Sequence, residues 1–293
     1  MIKWIKAFRV NQWTKNGFVF VAFVFAFGVK DSTVTLGDFW LVCLAALLFS
    51  LTSSGIYLIN DMLDLKEDRA HPIKKSRPLA SGAIAVPAAL TVAILLLAAG
   101  LSGAFFVALN LALVIGCYIL MQLGYSFGLK KIALLDVFFI AIGFVLRALA
   151  GGVAIDVPIS PWLILCTFLL ALFIAICKRR HEKVVEEEFA DQSRPSLQNY
   201  DIKLLDQLIA IASSATIVCY ALYTLSPQTV EKFGSSRLSF TIPFVIFGLF
   251  RYLDLVYRHN KGGRPEMILL TDKPLILDLL LYGLSVILIL FVW

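Results

Sequence analysis

The sequence predicts an all-α, polytopic membrane helix bundle of about nine transmembrane helices, with its N-terminus cytoplasmic and its C-terminus outside. Three observations predict it. The chain is 60% hydrophobic and only 16% charged, where a soluble domain carries about 25% charged residues. Its apolar residues gather in runs, roughly 16–29, 39–59, 86–108, 110–127, 132–154, 160–177, 204–225, 239–257 and 274–293, most of them near the ~20 residues that a helix needs to cross a bilayer. Its positive charge is one-sided. With the N-terminus inside, 22 of the 26 Lys and Arg fall on cytoplasmic segments, against Lys30, Lys232 and Arg237 outside and Arg147 within a span. That asymmetry is the positive-inside pattern, and it accounts for the net charge of +6 without a nucleic-acid partner. No soluble domain or internal repeat breaks the chain, which reads as one membrane domain over 1–293.

The elements follow in order. The opening segment MIKWIKAFRVNQWTKN lacks a small-residue cleavage site after a short apolar core, so it is expected to be retained. Trp4, Ile5, Phe8 and Trp13 alternate there with Lys3, Lys6 and Arg9, which suits a helix lying on the membrane surface. The first and fourth spans are short, and the third and fourth are separated by little more than Leu109-Asn110. The fifth carries Asp136 near its start and Arg147 eleven residues on. The sixth ends at Lys178-Arg179-Arg180, and the polar segment 178–203 reads as a loop or short helix. Cys43, Cys117, Cys166, Cys177 and Cys219 lie in or beside apolar runs without metal-ligand spacing and read as buried spectator thiols.

Chemistry concentrates after the second span, in YLINDMLDLKEDRAHPIKKSRPLASG (Tyr57–Gly82). The run from Ser50 to Leu65 reads as helix, broken by Pro72. Asn60, Asp64, Asp68 and His71 are spaced +4, +4, +3, so they share one helical face, with Asp61 beside them. Carboxylates grouped at a helix end need neutralising, and hard oxygen ligands suit Mg²⁺, which takes one or two carboxylates plus substrate phosphates. Lys74 and Arg77 follow as phosphate ligands. The plain alternative is a solvated cytoplasmic loop. A channel or transporter is the rival of another class, but only Arg147 sits well inside a span, and a pore needs polar residues through the membrane.

NDMLDLKEDRAHPIKKSRPLASG resembles the first aspartate-rich motif of the UbiA superfamily of intramembrane prenyltransferases. The resemblance implies a nine-helix bundle with a cytoplasmic-facing cavity in which Mg²⁺, held by Asn60, Asp61, Asp64 and Asp68, carries a diphosphate leaving group. Most members have a second D-x-x-x-D pair after the fourth helix. Here YSFGLKKIALLDVFFIAIGFVLRALAGG (Tyr125–Gly152) offers Asp136, and the next acid is Asp156. QWTKN, YSFGLKKIALLDV, GFVLRALAGG, KRRHE, LLDQLI, FRYLDLVYR and GGRPEMILLTDKPL, in that order, are similar instead to the branch that acts on decaprenyl phosphate. That branch implies an enzyme moving 5-phosphoribose from phosphoribosyl diphosphate (PRPP) to a polyprenyl phosphate, with pyrophosphate released and ribose C1 inverted. The alternative is prenyl transfer from a prenyl diphosphate to an aromatic or other small acceptor.

The expected roles follow. Asn60, Asp61, Asp64 and Asp68 hold metal and pyrophosphate. His71, Lys74, Arg77, Tyr125, Lys130 and Asp136 line the substrate site. Lys15 is a phosphate clamp or an interface anchor. Lys178 and Arg179 bind the ribose 5-phosphate or lipid phosphate, or follow the positive-inside rule. Arg251, Tyr252 and Arg258 are candidate site residues, and Asp254 between them could neutralise one. Arg147 contacts lipid phosphate, or snorkels, or forms a structural ion pair. The expected setting is the inner (plasma) membrane, multi-pass, with the site facing the cytoplasm; homo-oligomers are open, and in this branch the product feeds cell-wall biosynthesis.

Overall fold

The computed structural model describes residues 2–29, 33–71, 74–189, 200–259, 262–263 and 265–291, and among them there is no β-strand. Pro72, and Lys30, Arg194, Lys261 and Arg264 of the charge count, lie outside the described residues. The helices are α1 (Ile2–Ala7), α2 (Val19–Phe27), α3 (Asp38–Leu63), α4 (Leu65–Ala70), α5 (Val86–Val107), α6 (Leu109–Phe127), α7 (Leu135–Ala154), α8 (Pro161–Phe189), α9 (Ile202–Leu225), α10 (Pro227–Phe233), α11 (Ile242–Arg258), α12 (Pro265–Thr271) and α13 (Lys273–Phe291). Among the described residues, eight helical stretches are long and apolar enough to cross a membrane, and they match the second to ninth expected spans. The protein is a multi-pass membrane helix bundle.

The chain divides into two compact units, Met1–Phe23 with Val34–Ile159, and Val24–Thr33 with Ser160–Trp293. In the first, α3 packs on α5, α6 and α7, with α5 on α6 and α6 on α7. Small residues let the helices approach, because lipid supplies no hydrophobic drive between them and close van der Waals contact must. Ala89, Ala93, Gly100 and Ala104 of α5 are all buried, and a Cβ on Gly100 would strike the Thr52 side chain of α3. α5 turns into α6 through a single extended residue, Ala108 (φ −163°, ψ 142°).

The first expected span departs most from expectation. Only Val19–Phe27 is α-helical, and Val10–Phe18 before it is a nine-residue 3₁₀-helix, long for a geometry that rarely exceeds 3–4 residues. The composite runs antiparallel along α3: Trp13 bonds Ser54, Asn16 bonds Ser50, and the Phe23 ring lies 5.7 Å from Phe39. Before it, α1 packs Ala7 among Leu58, Leu79, Ile84, Ala89 and Ala93.

In the second unit α8 packs on α9, α9 on α11, and α11 on α13. Of the charged stretch 178–203, expected as a loop or short helix, 178–189 is helical and continues α8, while 190–199 lie outside the described residues. At 29 residues α8 is about 43 Å long and overshoots a hydrocarbon core of ~30 Å. α10 is capped at both ends, by the Ser226 hydroxyl accepting from Thr229 N and by Gly234 at φ 67°. Lys232 of α10 is exposed beside the Phe233 ring, and partial desolvation draws its ammonium below the ordinary lysine pKa.

Candidate active site

The site grows from the end of α3. Polar residues Ser50, Ser53, Ser54, Tyr57, Asn60, Asp61 and Asp64 recur there at helical spacing. The helix stops at Asp64, whose backbone (φ −89°, ψ 10°) leaves α geometry, and α4 restarts at Leu65. The expected continuous face is therefore kinked inside the acidic motif, although Asp68 N still donates to the Asp64 carbonyl at 2.8 Å.

The kink sorts the acids into two groups. Asp61 and Asp68 share one guanidinium: Arg77 Nη1 donates to Asp61 Oδ1 at 3.1 Å and to Asp68 Oδ2 at 2.6 Å. Asn60 and Asp64 share one ammonium: Lys130 Nζ donates to Asp64 Oδ1 and, at 3.3 Å, to Asn60 Oδ1, while Asn60 Nδ2 donates to Asp64 Oδ2 at 3.2 Å. Lys130 reaches the motif from the short 3₁₀ turn Leu129–Lys131 that joins α6 to α7. Asp61 and Asp68 are 2% and 3% exposed, and the arginines over them are the more open partners.

A third cation completes the cluster. Arg9 Nη2 donates to Asp61 Oδ1, and its guanidinium lies 4.8 Å from the centroid of the Tyr57 ring. Its backbone is left-handed (φ 52°, ψ 48°), a region that non-glycine residues enter at a cost. Sequence reasoning gave Arg9 only to the polar face of a surface helix. Its signal was its place just before QWTKN, but its partner is 52 residues away and local spacing does not reveal that.

The structure thus brings together six expected site residues: Asn60, Asp61, Asp64, Asp68, Arg77 and Lys130. Others flank them in the same unit. His71 Nδ1 accepts from Lys74 N at 3.4 Å, which braces the turn after α4. The Tyr125 ring meets Phe139 at 6.1 Å. Asp136 is 1% exposed in the first turn of α7, and Lys15 is half-buried in the 3₁₀ segment. Lys178 and Arg179 belong to the second unit. There Arg179 Nη1 donates to Glu182 in its own helix. Arg180 Nε donates to Asp206 at 2.5 Å and stacks 4.0 Å over Tyr257. Arg251 bonds Asp254 and Asp272 at 2.8 Å, and Arg258 bonds Asp254 at 3.3 Å. Asp254 thus pairs with both arginines, and Asp272 adds a second carboxylate at Arg251.

Arg147 is neither snorkelling nor ion-paired. It is 5% exposed, and among the described residues no carboxylate bonds it. Nε donates to Asn16 Oδ1 at 2.8 Å, Nη1 to the Gly143 carbonyl at 2.7 Å and Nη2 to Tyr118 OH at 3.2 Å. The rings of Phe49, Tyr118 and Phe144 lie 5.0, 5.1 and 5.5 Å from its guanidinium carbon, a cation–π cage.

The oxygen donors of the acidic motif are the hard type that Mg²⁺ takes. Among the described residues no three of His, Cys, Asp and Glu stand together as a ready cage for an ion. Mg²⁺ does not require one: it is commonly held by one or two carboxylates, with phosphates and water completing the shell. Asp61 with Asp68, or Asp64 with Asn60, fits that share.

Comparison with known proteins agrees with this architecture. A sequence profile of the UbiA prenyltransferase family matches residues 17–269. A decaprenyl-phosphate phosphoribosyltransferase of Mycolicibacterium smegmatis is 37% identical over 92% of this chain and 87% of its own, and one of Corynebacterium glutamicum is 36% identical over 92% and 81%. The solved structure of a UbiA homolog from Archaeoglobus fulgidus bound to DMAPP and Mg²⁺ superposes with a TM-score of 0.72 at 19% identity, covering 99% of this chain and 100% of that one.

Proposed function

The chain belongs to the UbiA prenyltransferase family, and from that premise we propose that it transfers 5-phosphoribose from PRPP to a polyprenyl phosphate such as decaprenyl phosphate. One observation carries the reading: relatives that share more than a third of their residues over 92% of the chain are named decaprenyl-phosphate phosphoribosyltransferases, which gives the transferred group and the acceptor. The sequence supports it as well, since the second acidic pair of prenyl-diphosphate users is missing around Asp136.

The chemistry asks little of the protein beyond charge placement. The C1–O bond of PRPP to diphosphate breaks, and an oxygen of the lipid phosphate forms the new bond at C1 from the opposite face. A phosphate monoester is already anionic at neutral pH, so no strong general base is required. Mg²⁺ held by the acidic motif supplies charge neutralisation for the departing pyrophosphate. Asp61, Asp64, Asp68 and Asn60 hold that ion; Arg77 and Lys130, already at the acids, bind the phosphate oxygens. Lys74 and Lys15 are further phosphate ligands in this reading, and His71, Tyr125 and Asp136 line the substrate site. Lys178 and Arg179, in the second unit, are proposed as phosphate ligands in their own right, in competition with the contact of Arg179 to Glu182. The site faces the cytoplasm of the plasma membrane, where PRPP is made.

The test offers two labelled donors to the purified protein with Mg²⁺: PRPP with polyprenyl phosphate, and a prenyl diphosphate with aromatic acceptors. Ribose label is expected in the lipid extract, reduced by roughly 10²-fold or more in Asp64→Asn, the scale of losing one preorganised electrostatic group. Label moving only from the prenyl diphosphate overturns the donor assignment.

A further inference from the structure

Each of the three aspartates of the motif already has a cation. Asp61 takes Arg9 and Arg77, Asp68 takes Arg77, and Asp64 takes Lys130. Among the described residues these three carboxylates meet three cations, so their charges balance against one another. We infer that Arg9, Arg77 and Lys130 are exchangeable counter-ions, which hold the motif in a closed form that admits a divalent cation only together with a diphosphate. On binding they pass from the carboxylates to the phosphate oxygens. The inference rests on the proposed function only for the metal–diphosphate substrate; it is indifferent to the group that the diphosphate carries.

Charge balance drives the argument. A dication entering alone must displace cations from Asp61 and Asp68, which are almost fully buried, and leave the displaced charges without partners. A diphosphate entering alone meets three carboxylates and cations that are already engaged. When both arrive, the metal takes carboxylates and the cations take phosphate, so each charge keeps a partner in a site where an unpaired one is costly. The geometry suits the exchange. Among the described residues, Arg9 and Arg77 each bond through a single terminal nitrogen, not through the two-pronged fork that makes arginine–carboxylate pairs durable. The rest of each guanidinium remains to grip phosphate. Arg9 adds a device of its own, a left-handed residue between α1 and the 3₁₀ segment, so that the N-terminal hook is tied to the state of Asp61.

The test measures metal binding without turnover. The full chain in detergent is titrated with Mn²⁺, read by electron paramagnetic resonance, with and without inorganic pyrophosphate. Wild-type protein is expected to bind Mn²⁺ weakly alone and at least ~10-fold more tightly with pyrophosphate, within the usual range of coupling between ligands. Arg9→Gln and Lys130→Gln, which act on different carboxylates, should each tighten Mn²⁺ alone and shrink the pyrophosphate effect. Arg9→Lys, which keeps the charge, should retain the wild-type pattern and controls for misfolding. Equal Mn²⁺ affinity with and without pyrophosphate overturns the inference, as do unchanged affinities in both Gln variants or no Mn²⁺ binding in either state. Loss of ribose transfer with the coupling intact would instead fault the donor assignment alone.

Discussion

Arg147 stands twelve residues past Leu135, the first residue of α7, about 18 Å along a helix that crosses the membrane. A guanidinium at that depth is expensive unless its donors are met, and here an amide, a backbone carbonyl and a phenol meet them while three rings cover its faces. The partners come from four elements: the 3₁₀ segment, α3, α6 and α7. Arg147 is therefore read as the tie that fixes the N-terminal segment to the bundle. Arg147→Ala takes the donor from Asn16 Oδ1 in a dry interior and empties the space between three rings, with an expected cost of about 3 kcal/mol. Arg147→Lys should recover less than half, because an ammonium has neither the planar face nor the fork. Thermal unfolding in detergent measures both. Mn²⁺–pyrophosphate binding to the folded fraction should be unchanged; its loss at full stability would make Arg147 a ligand instead of a tie.

Elements show where a single missing Cβ decides packing. Gly151 of α7 lies against the Val19 carbonyl, where the 3₁₀ segment becomes α2, and a Cβ there would collide with that oxygen. Gly283 of α13 has nothing within 4 Å of its would-be Cβ. Gly151→Ala should destabilise by about 1–3 kcal/mol through overpacking, and Gly283→Ala should stabilise by about 0.5–1 kcal/mol through helix propensity; opposite shifts in melting temperature check the pair. The same elements show what a sequence displays. Eight spans were legible because hydropathy is a local average, and the acid spacing was legible because Asn60 and Asp64 meet within one helical turn. Val10–Phe18 was not legible as 3₁₀-helix, because its stretched form follows from lying along α3. The helical course of 178–189 was hidden by its charge. Arg9 on Asp61 and Asn16 on Arg147, 131 residues apart, are decided by tertiary approach and leave no periodic trace.

The whole molecule turns on how often the chain crosses the membrane. Eight crossings by the long helices would put both termini on one side, whereas the charge asymmetry calls for nine. The N-terminal composite is the candidate for the ninth. It meets α3 at Asp61 through Arg9 and near the opposite end of that helix through Phe23 on Phe39; α3 is 26 residues long, or about 39 Å. Nine 3₁₀ residues and nine α residues extend about 31 Å at ~2.0 and ~1.5 Å per residue, against ~30 Å of hydrocarbon. The 3₁₀ stretch thus lengthens a segment that would fall slightly short as α-helix alone, and it carries Asn16 to Ser50 and Arg147. A reporter that folds only in the cytoplasm should be active when fused to the N-terminus and silent when fused after α13, and one that folds only outside should give the reverse. Activity of the same reporter at both ends would mean eight crossings, and the composite would then be a re-entrant hook that leaves by the side it entered.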